Sequence, residues 1–458
     1  MSNPVSNVQT LRDFYDSGST LSYGFRKKQL ELLLKSVLQH EDDIANALHS
    51  DLKKSKEEAW TTETGLLVAE IKNALKHLHK WMRPKKVSSG LVTFPSSAHI
   101  YRDPLGVVLI IAPWNYPLQL LLIPLVGAIA GGNCAVLKPS ELAPATEQLI
   151  AKLIDEIFPG NYIKVITGSG AEVVPELINN FHFDHIFYTG STAVGKEIYM
   201  LAAKDLVPVT LELGGKSPCI VYDDADIKVA AKRIVLGKFL NAGQTCIAPD
   251  YLLVHSSVRD SLLEEIKAAI QKFYTQDPSS SNDYGKIINT SRFRKLTGYF
   301  EGATIFYGGR TDEENLFIEP TVLTEVALDD NIMKEEIFGP ILPVMSFSST
   351  EEAMHIVRQN EKPLSFYLFT KNKTVEKEWL QKVSFGGGCI NNTVWHFAND
   401  KFPFGGVGKS GIGAYHGENT FNVFTHSKPV LKTSTWLDPD LKYPPFKGKI
   451  KWFKKLIG

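Results

Sequence analysis

Cys246 follows Gly243-Gln244-Thr245, and Glu212 ends an apolar run just before Gly214-Gly215. A lone thiol and a carboxyl in such settings are the parts of covalent catalysis, with the carboxylate handling protons or water. Only the thiolate is a strong nucleophile, and an unperturbed cysteine is mostly protonated at neutral pH. For Glu212, desolvation at the end of an apolar strand would disfavour the charged form and suit a base working near neutrality. The competing assignment is a buried carboxylate paired with Lys216. Cys134, Cys219 and Cys389 lie on strand-like segments and read as small buried hydrophobes. Asn115 sits between Pro113 and Pro117; its amide could hold a developing oxyanion, or it could be an ordinary turn asparagine. Gly190-Ser191-Thr192-Ala193-Val194-Gly195 follows a strand and opens a helix, a geometry suited to phosphate. It is not GxGxxG, so on its own it is a weak signal beside a plain strand-to-helix turn.

The elements that must position these residues alternate. Short apolar strands at Val107–Ile111, Cys134–Leu137, Ile163–Ile166 and Asp184–Tyr188 are interleaved with helical stretches at Leu120–Ala130, Leu149–Phe158, Val173–Asn179 and Lys196–Ala203. That order implies βαβ units on a parallel sheet. A second α/β unit follows, with strands Pro218–Tyr222 and Tyr251–His255 and helices Ile227–Phe239 and Asp260–Phe273. The pattern continues through Ile305–Tyr307, Glu352–Gln359, Leu364–Thr370 and Val375–Gln381. Before these units, Phe25–Leu48 and Glu63–Trp81 carry the apolar spacing of amphipathic helices. Gly90–Phe94 and Ala98–Tyr101 read as a projecting hairpin.

Composition bounds the rest. At 458 residues the chain exceeds what one hydrophobic core fills, so two or more domains are expected. Fifty basic side chains balance fifty acidic ones, which leaves no global field for nucleic acid. The four cysteines are scattered, with no CxxC pair, and fit reduced thiols in the cytoplasm with no structural metal. Met1–Arg12 is polar and does not read as a secretory leader. No charge occurs between Asp103 and Lys138, yet Pro113, Pro117 and Pro124 interrupt the run of about 20 apolar residues a membrane span needs.

Further motifs stand in order along the chain. They are Tyr101-Arg102-Asp103-Pro104-Leu105-Gly106, Pro113-Trp114-Asn115-Tyr116-Pro117, Leu137-Lys138-Pro139-Ser140-Glu141, Phe187-Tyr188-Thr189-Gly190-Ser191, Glu336-Ile337-Phe338-Gly339-Pro340 and Pro403-Phe404-Gly405-Gly406. With the cysteine and glutamate segments, they make the sequence resemble the aldehyde dehydrogenases, and within them the class 3 group acting on fatty and aromatic aldehydes. The resemblance implies Cys246 as nucleophile, Glu212 as the base that activates the deacylating water, and Asn115 as oxyanion donor. It also implies NAD or NADP, bound in the family's atypical way at Gly190, Ser191 and Gly195. Lys138 and Glu141 match the residues that hold the adenosine ribose, and Glu336 and Phe338 those that fix the nicotinamide ribose and ring. By family position Tyr116, Thr245, Trp395, His396 and Phe404 belong to the substrate pocket. A CoA-acylating enzyme and an idle binding protein are the rival readings; Glu212 opposes the first, and the intact Cys246, Glu212 and Asn115 oppose the second.

The expected fold is α/β and aldehyde dehydrogenase-like. A Rossmann-like cofactor domain would span 1–83 and 105–211, and a catalytic α/β domain 212–417. A small β bridging and oligomerisation element would join 84–104 to 418–435, with a late strand around Phe421–His426. The hairpin edge and the resemblance together imply a homodimer. Residues 436–458 form a basic tail in which Ile450, Phe453 and Ile457 share a helical face beside Trp452 and Leu456. Such a tail could rest on an anionic membrane, shape the substrate entrance, or pack as an ordinary terminal helix.

Overall fold

The computed structural model describes residues 8–457. The opening residues Met1–Asn7, on which part of the N-terminal reading rested, and Gly458 lie outside the described residues.

Two parallel sheets dominate. The first has six strands in the order Gly411–Ile412, Val209–Glu212, His185–Thr189, Val107–Ile111, Cys134–Lys138, Ile163–Val165, all parallel except the first pair. Every residue of Val107–Ile111, Cys134–Lys138 and His185–Thr189 is buried. Continuous apolar runs are what strands covered on both faces require. Strand order reverses between Val107–Ile111 and His185–Thr189, so a crevice opens beyond their carboxyl ends. Helix Gln119–Gly131 is buried throughout and covers this sheet.

The second sheet orders seven strands as Thr304–Tyr307, Thr321–Thr324, Ile341–Phe347, Tyr251–His255, Pro218–Val221, Ser365–Phe369, Gly387–Ile390. Only the first pair is antiparallel. Its core is separate from that of the first sheet. A short linker, Leu213–Ser217, joins strand Val209–Glu212 to strand Pro218–Val221. The carboxyl edge of the first sheet therefore meets the amino edge of the second. Glu212 lies on the former, and the loop carrying Cys246 leads into the latter.

A third, antiparallel sheet orders Lys85–Val87, Ser96–Pro104 and Thr425–Thr433. Here the structure corrects the sequence reading twice. Gly90–Phe94 is a turn, with the Phe94 N–H donating to the Leu91 carbonyl at 3.2 Å and Leu91 exposed. The segment around Phe421–His426 is a helix, Glu418–Val423, followed by the strand from Thr425. Phe421 and Phe424, three apart, both enter the core, which a helical turn allows and a strand does not. The open edge of this sheet is thus Thr425–Thr433, exposed at all but its first residue.

The long helix expected over Phe25–Leu48 is two, Tyr23–Gln39 and Glu41–Leu52. His40 leaves helical geometry between them and its Nδ1 meets Asp43 Oδ2 at 2.9 Å, while three acids follow at the new N-terminus, where the helix dipole favours them. Helix Gly65–Met82 starts after a π-helical turn, Trp60–Thr64, which holds Glu63.

One buried amide ties these parts together. Asn133 Oδ1 accepts from the N–H groups of Leu105 and Gly106 at 2.8 and 2.9 Å, and Nδ2 donates to the Ala128 and Phe424 carbonyls at 3.2 and 2.8 Å. Asn133→Leu would leave all four backbone groups without a side-chain partner in a site closed to water. Urea unfolding should show a loss of about 3 kcal/mol or more, since each buried group left unpaired costs roughly 1–3 kcal/mol. A loss below about 1 kcal/mol would contradict this role.

Candidate active site

The loop bearing Cys246 is shaped by three consecutive left-handed residues, Asn241, Ala242 and Gly243, with φ of +53°, +51° and +73°. Gly243 has no alternative, because a Cβ there would collide with the Gly339 carbonyl oxygen. Gln244 fixes the turn from inside: Nε2 donates to the Asn241 and Lys286 carbonyls at 3.1 and 2.9 Å, and Oε1 accepts from Ile288 N–H at 3.0 Å.

This loop is stitched to the Pro113–Leu118 turn. Asn115 Nδ2 donates to the Gln244 carbonyl at 3.0 Å, and Asn241 Nδ2 donates to the Asn115 carbonyl at 2.8 Å. The Tyr116 and Thr245 hydroxyls meet at 2.6 Å. Asn115 is buried within two residues of Cys246 along these bonds, with one amide hydrogen engaged.

Cys246 and Glu212 line one cavity of about 50 Å³, together with Tyr116, Thr245 and Phe404. Its remaining wall is chiefly apolar, with Leu120, Leu213, Leu240, Ile247 and Leu364 among the contributors. Trp395 and His396 do not line it. Trp395 is 55% exposed, and His396 lies behind Phe404, its ring stacked on that phenyl at 6.1 Å. His396 Nε2 faces Ser365 Oγ at 3.3 Å and Nδ1 faces Cys389 Sγ at 3.6 Å, in a neighbouring depression.

Glu212 is wholly buried and Cys246 half-buried, and burial makes both hold their protons more tightly. Glu212 is buried, neither carboxyl oxygen has a hydrogen-bond partner among the described residues, and burial alone raises its pKa well above the usual range. Lys216 does not neutralise it. That ammonium pairs with Asp250 at 2.5 Å and donates to the Ile332 and Glu335 carbonyls at 2.9 and 2.8 Å. Burial also pushes the Cys246 thiol up, with smaller contributions from the Glu336 and Glu212 carboxylates; the N–H groups of Cys246 and Ile247 oppose the rise. Burial, then Asp250, raises Glu336 to about 8.

A second cleft, of about 440 Å³, opens at the strand-order reversal of the first sheet. Lys138, Glu141, Gly190 and Ser191 all line it, as do Trp114 and Val194. Lys138 is buried, and its Nζ lies 3.2 Å from Glu141 Oε2 while Oε1 accepts the Gly170 N–H at 2.9 Å. These bonds outweigh desolvation and hold Glu141 below the usual carboxylate range, so it stays an acceptor at neutral pH. Ser191 caps the helix that begins at Thr192. A volume of this size with an ammonium, a carboxylate and a helix amino end fits a nucleotide. Gly195 lies beneath, packed on Leu213. Glu336 and Phe338 approach from the second sheet: the Glu336 carboxylate occupies the space a Cβ on Gly214 would take, and Phe338 meets Trp114 edge-on at 5.4 Å.

Sequence reasoning missed the residues that hold these loops. Lys54 Nζ lies 2.6 Å from Glu63 Oε1 and donates to the Asn115 carbonyl at 3.0 Å. Glu63 Oε2 accepts from the N–H groups of Leu118 and Gln119, and Glu58 Oε1 from that of Asn241. In sequence, Lys53-Lys54-Ser55-Lys56-Glu57-Glu58 looks like a solvated charge run, and no local signal marks which members are buried.

With this geometry in hand, comparison with known proteins is direct. Residues 8–430 match the Aldehyde dehydrogenase family, and the chain belongs to it. It is 48% identical over 443 residues to 4,4'-diaponeurosporen-aldehyde dehydrogenase of Staphylococcus aureus, covering 96% of each chain. It is 43% identical over 450 residues to aldehyde dehydrogenase family 3 member A2 of Macaca fascicularis, covering 98% of this chain and 92% of that one. The structure of the substrate-bound state of Staphylococcus aureus AldH superposes with a TM-score of 0.98 over 100% of both chains, at 47% identity. Other solved members hold NADP or NAD+. The family resemblance drawn from the motifs is thereby established, including its family 3 branch.

The electrostatics make one measurable statement. In the ligand-free protein, labelling of Cys246 by iodoacetamide should rise with pH and keep rising beyond the ordinary cysteine range near 8.5. A rate that levels off at neutral pH would show a thiolate already stabilised, against the burial found here.

Proposed function

We propose that the chain oxidises medium- or long-chain aliphatic or aromatic aldehydes to carboxylic acids, with Cys246 as nucleophile. The observation that carries this reading is that Cys246 and Glu212 face one largely apolar cavity. The Cys246 sulfur adds to the aldehyde carbon and the carbonyl electron pair moves to oxygen, giving a thiohemiacetal. The Asn115 amide and the Cys246 backbone N–H are the donors for that oxyanion. An oxidised nicotinamide held in the cleft lined by Lys138, Glu141, Gly190 and Ser191 would supply the hydride acceptor for this carbon. Cys246 then carries a thioester. Glu212 takes a proton from water, the hydroxide adds to the thioester, and the carbon–sulfur bond breaks to release the acid and the cysteine. Once ionised, Glu212 suits this step, because a carboxylate whose proton affinity burial has raised is a stronger base.

NAD or NADP would sit in the cleft lined by Lys138, Glu141, Gly190 and Ser191, with Glu336 and Phe338 toward the nicotinamide end. Glu141 would accept from the 2′-hydroxyl of NAD and repel the 2′-phosphate of NADP, while Lys138 offsets that repulsion. NAD is therefore the expected preference and NADP the tolerated alternative. The division into a cofactor unit (1–83, 105–211), a catalytic unit (212–417) and a bridging unit (84–104, 418–435) follows from the same assignment. The open Thr425–Thr433 edge supports pairing with a second copy, giving a homodimer.

The tail supports contact with an anionic membrane surface. Helix Ile450–Ile457 leaves Ile450, Trp452, Leu456 and Ile457 exposed, which favours surface contact over packing, and none of its residues lines the Cys246 cavity. Among the described residues no helix is long and apolar enough to cross a membrane.

Single-turnover stopped flow tests the chemistry. Glu212→Gln should still give a burst of NAD(P)H from saturating aldehyde and then stall, whereas Cys246→Ala should give none, with turnover below about a thousandth of wild type. Loss of the burst in Glu212→Gln would move that residue to activation of the thiol.

For the tail, cosedimentation with phosphatidylserine vesicles is the measurement. Binding should weaken with salt and disappear on deletion after Pro445, each lysine near the surface being worth roughly 1 kcal/mol. Altered chain-length preference without vesicle binding would assign the tail to the substrate entrance instead.

A further inference from the structure

The path to Cys246 does not end at the catalytic cavity. Gln119, Phe397 and His416 line it and also line a second chamber of about 230 Å³, so these side chains form the passage between the two. Ala69 and Asp400, on the rim of the outer chamber, are exposed, which makes this chamber the mouth. Leu66 and Ile123 supply apolar wall, and Glu70 supplies a carboxylate.

The polar groups around the passage are buried and incompletely used. Gln119 and Glu70 are each 7% exposed, and His416 is 8% exposed. Glu70 Oε1 accepts from Gly417 N–H at 2.9 Å and from Thr420 Oγ1 at 3.4 Å, while Oε2 accepts from none of the described residues. The Gln119 backbone is held by Glu63, but its side-chain amide has no partner among the described residues. Both residues line the chamber, so these free atoms are open to a ligand group or water there. The inner cavity, by contrast, is largely apolar, with Leu120, Leu213, Leu240, Ile247 and Leu364 beside a few hydroxyls. An unbranched apolar chain matches that lining and leaves these outer groups unanswered.

We propose that the outer chamber is a subsite for a hydrogen-bond donor, a hydroxyl or an ammonium, carried by the aldehyde at a distance from its carbonyl. This rests on the reading of the chain as an aldehyde oxidiser through Cys246. With the carbonyl at the thiol, the chain runs through the passage and its donor reaches Glu70 Oε2, beside the Gln119 amide oxygen. Asp400 at the rim adds negative charge, favouring an ammonium and opposing a carboxylate at that end. His416, which burial keeps neutral at physiological pH by lowering its pKa to about 4, adds no positive charge against the donor.

The test is kcat/KM over a ladder of straight-chain aldehydes that are plain, ω-hydroxy, ω-ammonio or ω-carboxy. Above about pH 7, the value to which burial raises Glu70, the ω-hydroxy or ω-ammonio compound of matching length should exceed the plain one by about tenfold, the size of one hydrogen bond to a charged group, and the ω-carboxy compound should fall below it. Glu70→Gln, which keeps an acceptor for Gly417, should bring that preference to within about twofold while plain aldehydes are oxidised as before. Gln119→Leu gives a second check that leaves Glu70 in place and should reduce the same ratio. Plain aldehydes preferred at every length, or a preference untouched by both substitutions, overturns the subsite while aldehyde oxidation stands. If no aldehyde of the ladder is oxidised at any length, the reading beneath it fails as well.

Discussion

The ion pair between Lys54 and Glu63 is the constraint from which the catalytic geometry follows. Both side chains are completely buried, 2.6 Å apart, in a part of the chain remote from Cys246 in sequence. Removing two charges from water costs several kcal/mol per ion, and only good geometry with all remaining bonds satisfied offsets it. Here those remaining bonds fall on the turn that carries Asn115: its carbonyl, and the N–H groups of Leu118 and Gln119. The Lys54 ammonium also lies 4.0 Å from the centre of the Tyr116 ring. The pair therefore has one satisfied arrangement, and that arrangement places the candidate oxyanion donor.

Burial also governs the chemistry. Glu212 is wholly buried and Cys246 and Glu336 partly so, and burial raises the proton affinity of each. Ionising either carboxylate makes the thiol harder to ionise, because few water dipoles intervene. Backbone N–H groups at Cys246 and Ile247 work in the opposite direction. A protein that needs a thiolate here must bring positive charge or displace a carboxylate when ligands arrive.

How legible was this in the sequence? The strands Val107–Ile111 and Tyr251–His255 and the helix Ile227–Phe239 have the limits that apolar patterning assigns them, since double-sided burial leaves no polar residue to blur the ends. Strand Ile341–Phe347 was not read, because Pro343 punctuates it like a loop although it pairs in parallel with Leu323. Cys246, Glu212 and Asn115 stand out by residue type and neighbours. The burial of Lys54 and Glu63 does not, because it depends on a turn more than fifty residues away in the chain. Trp395 and His396 show the limit of reasoning by position, since one is at the surface and the other supports Phe404 from behind.

A second buried pair completes the arrangement. Lys216, in the linker between the sheets, binds Asp250 at the start of strand Tyr251–His255 and two carbonyls of the 332–335 segment; Asp250 Oδ1 in turn accepts the Ile337 N–H at 2.9 Å. This fixes the approach of Glu336 to the linker and sets the amino edge of the second sheet against the carboxyl edge of the first. Lys54–Glu63 thus locates the Asn115 turn, and Lys216–Asp250 locates the Glu336 segment beside the Cys246 loop. Neither pair lines the catalytic cavity. Residue types supply the chemistry, but charges that stay clear of the cavity decide whether those residues meet.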